Sequence, residues 1–145
     1  MESHIADISR VIQLAVAPVF LLTAIATLVT TLNNRLGRIV DRRRVVLEHL
    51  AVDTANAEAT PAHRELATLS RRSRLVYLSI FSAVLGALLI CLVVASAFMA
   101  ALLTYDLSRL VAGLFVLSML SLVVALGLFL REVFLAVSHS VHFRR

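Results

Sequence analysis

The sequence predicts an all-α integral membrane protein with three transmembrane helices and a cytoplasmic helical hairpin extension. Three observations carry that prediction. Of the 145 residues 60% are hydrophobic, with a mean hydropathy of +0.93, whereas a soluble domain is roughly half apolar. Three long stretches hold no charge: Val11–Asn34, Leu75–Tyr105 and Leu110–Leu130. Apolar residues recur every three or four positions between the first two, the rhythm of a helix.

Each uncharged stretch is long enough to cross a hydrocarbon core of ~30 Å, which takes about 20 helical residues. None alternates with period two as a barrel strand would. The spans are therefore expected at about 11–34, 75–105 and 110–130, within a single membrane domain over 1–145. The second run exceeds the requirement and should tilt or protrude.

Charge gives the expected orientation. The segment Met1–Arg10 sets Glu2 and Asp7 against Arg10. From Asn33 to Arg74 there are nine Arg against Asp41, Glu48, Asp53, Glu58 and Glu65, a net of +4. Thr104–Arg109 is neutral and the tail 131–145 nets +2. Basic loops stay on the cytoplasmic side, which places 35–74 and the C-terminus inside and the N-terminus outside. The first apolar run is too long, and its leading segment too acidic, for a cleaved signal peptide, so it is expected to remain as a helix. All 14 Lys+Arg residues are Arg, which an arginine-rich codon bias explains most simply. Cys91 has no second cysteine to pair with and reads as a small core residue.

In the hairpin segment, Leu36, Ile39, Val40, Val46, Leu47 and Leu50, then Leu66, Leu69 and Val76, keep helical spacing. The first helix should therefore continue to about Leu50. "VDTANAEATPAH" supplies a break, and Thr60 as N-cap with Pro61 at the first helical position starts the next helix. The two are expected to pack antiparallel, with apolar edges together and arginines outward. Such a thin hairpin buries little area alone, which favours copies of the chain as partners in a homo-oligomer.

The first helix carries a polar line. At ~100° per residue, Gln13, Thr23, Thr27, Thr30, Thr31, Asn34, Arg38 and Asp41 share one face, with Phe20 and Val16 in its middle. Either of two causes accounts for it. Hydroxyls bonded to the preceding turn and polar contacts with neighbouring helices make the line a packing surface. Alternatively several copies surround a water-filled path, with Phe20 as constriction and Arg38 at the inner mouth. With no acid between Asp7 and Asp41, such a path would pass anions or select weakly. Pro18 removes one backbone hydrogen bond, so it is either a tolerated membrane proline or a hinge.

On the second and third helices, Ser79, Ser82, Ala83, Gly86 and Ala87, and Gly113, Ser118, Ser121 and Ala125, are small residues at packing spacing. Asp106 and Arg109 are spaced to pair locally. The basic residues Arg35, Arg42, Arg43, Arg44, Arg71, Arg72 and Arg74 fall where anionic lipid headgroups lie. The loop lacks the aromatics or reading helix that nucleic-acid binding needs. No phosphate loop, HExxH, cysteine pair or intramembrane acid presents itself, and His139 with His142 are too few for a closed metal site. No enzymatic activity, cofactor or metal is expected.

Three stretches carry a resemblance: "IQLAVAPVFLLTAIATLVTTLNNRLGRIVDRRR", "RRSRLVYLSIFSAVLGALLICLVVASAF" and "FVLSMLSLVVALGLFLREVFLA". Their most specific parts are the proline-phenylalanine opening of the first span, the block Asn34–Arg42 and the ending Phe129–Val133. Over about residues 8 to 137 the chain resembles the DUF2721 family of small bacterial inner-membrane proteins. The resemblance implies a three-helix inner-membrane protein and assigns no activity. The polar line makes a homo-oligomeric channel or permeation protein lined by the first helix the expected function, with an accessory or scaffolding membrane protein that uses the line for helix packing as the alternative.

Overall fold

A computed structural model describes residues 2–52, 59–103 and 107–142, with side-chain surroundings at 12, 13, 16–51, 62–102 and 107–137. Within them the chain is helical except at Leu107. α1 spans Glu2–Val52, α2 Ala59–Leu103 and α3 Ser108–His142. α1 thus passes the expected end near Leu50, and runs through Pro18 without interruption. α3 continues helically well past residue 131, where a tail was expected. Three stretches are long and apolar enough to cross a membrane: Val16–Ala51, Ala62–Leu102 and Ser108–Val137. Residues 53–58 of the "VDTANAEATPAH" break, Asp106 of the Asp106–Arg109 pair and the His139 and His142 side chains lie outside the described residues, and α2 already includes Ala59, just ahead of the expected cap Thr60.

The buried residues follow a period of seven on every helix. One such series is Ile25, Leu32, Ile39 and Val46 on α1, Leu69, Val76, Ala83 and Ile90 on α2, and Ser118, Ala125 and Glu132 on α3; Leu75, Ser79, Leu89 and Val93 on α2 and Leu122 on α3 are buried beside it. A seven-residue repeat keeps one side of a slightly underwound helix turned to its neighbours, as in coiled coils. This phase explains two departures from the sequence expectation. Val40 and Leu47 each follow a buried position and are exposed. Cys91, next to the buried Ile90, is exposed rather than part of the core.

The chain divides into two compact units. The first comprises Met1–Val29 and Phe81–Val124. Its core holds Ile25, Ala83, Leu89, Ile90, Val93, Ser118 and Leu122. There α2 and α3 meet closely at Gly86, where an added Cβ would lie 3.3 Å from Leu122 Cγ and 3.5 Å from the Ser118 carbonyl oxygen. Ser118 Oγ donates to the Gly86 carbonyl (3.1 Å) and Ser121 Oγ to the Ser82 carbonyl (2.7 Å). The expected small-residue packing is therefore real at Ser82, Ala83, Gly86, Ser118 and Ser121. Gly113, by contrast, is exposed with nothing near it.

The second unit comprises Thr30–Ile80 and Ala125–Arg145. Leu32, Ile39, Val46, Leu69, Leu75 and Val76 form its apolar core. Ser79 Oγ donates to the Ala125 carbonyl at 2.7 Å. The ion pair of Arg42 with Glu65, and the sharing of Glu132 by Arg35 and Arg72, pair rising numbers on α1 with falling numbers on α2. The two helices are antiparallel here.

Candidate functional site

The polar chemistry concentrates in the second unit, around one carboxylate. Glu132 sits on α3 one heptad beyond Ala125 and two beyond Ser118, so helical phase alone turns it inward. Its side chain is 1% exposed. Arg35 Nη1 of α1 donates to Oε2 at 2.9 Å, and Arg72 Nη2 of α2 donates to Oε1 at 2.8 Å. Each carboxylate oxygen thus accepts one charge-assisted bond, and a single acid joins all three helices. Both guanidinium groups retain some exposure, 36% for Arg35 and 23% for Arg72. The desolvation penalty therefore falls mainly on the acid, which two cations offset.

Packing fixes the cluster further. The Arg35 guanidinium carbon lies 5.0 Å from the centroid of the Phe129 ring, one turn before Glu132, within the range of a cation–π contact. Arg42 Nε donates to Glu65 Oε1 at 2.8 Å. Arg44 and Glu48 form a looser i,i+4 pair at 3.3 Å on the exposed side of α1. Beside the Glu132 cluster is a pocket of about 320 Å³ walled by Arg35, Arg38, Arg42, Arg72 and Glu132, with Ile39 and Leu69 as its apolar part. Arg72 Nε, in this wall, is buried and has no hydrogen-bond partner.

These observations revise one expectation directly. The arginines were expected to point outward, and Arg35 and Arg72 instead turn in toward Glu132. Arg131 closes the apolar run, which places Glu132 in the expected polar tail, yet α3 continues through it and buries its side chain. Two signals for it were present in the sequence. Glu132 keeps the seven-residue phase of Ser118 and Ala125, and the blocks Asn34–Arg42 and Phe129–Val133 hold both halves of the Arg35–Glu132 pair. Of the other basic residues read as lipid contacts, Arg42 and Arg44 have intrachain partners, while Arg43, Arg71 and Arg74 are exposed.

The polar line of α1 lies apart from that cluster except at Arg38. Its members Gln13, Phe20, Thr23, Thr27, Thr30, Thr31, Asn34, Arg38 and Asp41 are all exposed, Phe20 by 73%. At ~100° per residue they centre about 145° from the buried seam of Ile25, Leu32 and Ile39, on the far side of the helix. The Thr23 hydroxyl donates to the Val19 carbonyl and that of Thr27 to the Thr23 carbonyl. Pro18 is half-buried. Among the described residues, no three His, Cys, Asp or Glu side chains converge as a metal site.

The described residues form an all-α fold of three helices long and apolar enough to cross a membrane, with an arginine–glutamate–arginine cluster joining them in the second unit. The chain's family is shown by a family model, described as a protein of unknown function (DUF2721), that matches residues 15–141. The chain belongs to that family. No curated protein and no solved structure matches it.

Proposed function

We propose that the chain is a homo-oligomeric protein of the bacterial inner membrane whose α1 helices line a permeation path. The observation that carries this reading is the exposure of the whole polar face of α1, opposite the seam that the chain uses for its own packing. A continuous polar face on the outside of a long apolar helix suits copies arranged around an axis, where that face meets water or the neighbouring copies instead of lipid. The charge balance of 33–74 supports a cytoplasmic placement for the segment, with the N-terminus outside. Arg38 then stands at the inner mouth, Phe20 forms the apolar constriction, and Pro18 is a hinge candidate in the same helix. The path is weakly selective or prefers anions. The reading gives the chain no catalytic chemistry and no cofactor.

One observation favours a second reading, an accessory or scaffolding protein in which the same face packs against a partner. The Thr23 and Thr27 hydroxyls are satisfied within α1 and need no water. Cysteine accessibility separates the two. In a Cys91→Ser background, Thr27→Cys and Asn34→Cys in liposomes should react with a water-soluble thiol reagent and alter ion flux. Val123→Cys, exposed on α3, should stay inert. Equal inertness at all three positions, or a monomer in lipid nanodiscs, would remove the permeation reading.

A further inference from the structure

We infer that the arginine-walled pocket of the second unit is a binding site for a phosphate group. Four guanidinium groups, those of Arg35, Arg38, Arg42 and Arg72, face one carboxylate around about 320 Å³. That leaves three positive charges, or two once Glu65 beside Arg42 is counted. A net charge of two matches a phosphate monoester, which carries about −1.5 to −2 near neutral pH. The volume falls at the lower end of ligand pockets, enough for a phosphate with a small substituent.

The walls are held in place before any ligand arrives. Glu132 anchors Arg35 and Arg72, Phe129 supports the Arg35 guanidinium, and Glu65 anchors Arg42. Each guanidinium has five N–H donors, and these contacts engage only some of them. Anchored arginines lose little further freedom on binding, and their planar forks suit phosphate oxygens. The buried Arg72 Nε has no acceptor in the chain, and a buried donor left unpaired is costly. A phosphate oxygen supplies one. Glu132 is the opposing feature: its carboxylate would repel an anion, but both its oxygens are already engaged by arginine. Buried Ile39 and Leu69 offer an apolar surface to the carbon side of the ester.

The phosphate has two possible sources, a lipid headgroup or a soluble phosphate ester, with the same chemistry at the pocket. The inference does not rest on the permeation reading, because binding is measured without flux. The full chain is placed in nanodiscs of phosphatidylcholine and its thermal unfolding followed by circular dichroism. Inorganic phosphate or glycerol 3-phosphate is added at matched ionic strength against chloride; in parallel, phosphatidic acid is built into the discs.

Arg38→Gln is the informative variant. Arg38 is exposed and has no ion pair among the described residues, so its loss leaves the Glu132 cluster intact. Arg71→Gln, an exposed position outside the pocket, is the control. Stabilisation by the soluble phosphates, weakened about tenfold or more by Arg38→Gln and unchanged by Arg71→Gln, establishes the site with a free phosphate ester as ligand. The same pattern with phosphatidic acid alone establishes it with a lipid headgroup. Arg38→Lys should fall between wild type and Arg38→Gln, since it keeps charge and loses the fork. Stabilisation no greater than chloride gives, or equal weakening by Arg38→Gln and Arg71→Gln, would overturn the proposal and leave a basic surface without a site.

Discussion

Between residues 81 and 124, α2 and α3 meet through a glycine, an alanine and serine hydroxyls, whereas around Glu132 all three helices meet through charge. In the first unit the close approach at Gly86 lets Ser118 and Ser121 reach carbonyls on the facing helix. These contacts are short, local and neutral, and their strength comes from shape. In the second unit one carboxylate with 1% exposure is held between two arginines. That contact is electrostatic, and its worth depends on all three partners being present. The same seven-residue phase places Ser118 and Glu132 at equivalent positions of α3. One repeat therefore serves two chemistries, and substitutions at matched positions should expose the difference.

The largest effect is expected at Glu132. Glu132→Ala leaves two arginines beside a vacated buried site and should cost about 3 kcal/mol, the lower end for breaking a buried pair because both arginines keep some solvent. Glu132→Gln, which retains size and hydrogen bonding, should cost less. Replacing the set together by Arg35→Met, Arg72→Met and Glu132→Leu should recover much of the loss, because apolar residues of like volume replace buried ion pairs well. Denaturant unfolding in detergent micelles measures all three. If Glu132→Ala is neutral, charge does not hold the second unit and the contrast fails.

Next in size is Gly86→Val in the first unit. Its added methyl groups meet Leu122 and the Ser118 carbonyl, and overpacking of this kind costs roughly 1–3 kcal/mol. Gly86→Ala is more finely balanced. Its Cβ sits 3.3 Å from a side-chain atom of the buried Leu122, which must shift by a few tenths of an ångström, while alanine gains up to about 1 kcal/mol in helix propensity. The contrast sharpens if unfolding of the valine variant proves insensitive to salt.

The helices were legible because length, apolarity and spacing act locally. Uncharged runs of more than 20 residues leave few alternatives, and the seam positions Ile39, Val46, Leu69 and Val76 were visible as apolar residues at helical spacing. Glu132 was not legible, because the apolar run ends at Leu130 while the packed helix does not. Charge next to Arg131 looked like solvent-facing tail. Only a partner on another helix makes burying that acid tolerable, and a pairing 97 residues apart between Arg35 and Glu132 has no local signature. The pocket was legible only by half: Arg35, Arg38 and Arg42 share one side of α1 by helical spacing, but only tertiary packing brings Arg72 and Glu132 to them. The polar face of α1 was legible as a pattern, since it depends on the helix alone.

The smallest effects give the most direct contrast, because the two contacts are single bonds of similar length but different chemistry. Ser121→Ala in the first unit removes a neutral bond of 2.7 Å to the Ser82 carbonyl. Interhelical bonds of this kind in membranes are worth about 0.6 kcal/mol, and the loss should be the same at low and high salt. Glu65→Gln in the second unit breaks the 2.8 Å pair with Arg42, whose side chains are 41% and 59% exposed. An exposed pair contributes roughly 0.2–1 kcal/mol and is screened over a Debye length of ~3 Å at 1 M salt. Its cost should therefore be measurable at low ionic strength and vanish near 1 M. A Ser121→Ala loss that also faded with salt would mean that electrostatics, not shape, governs both units.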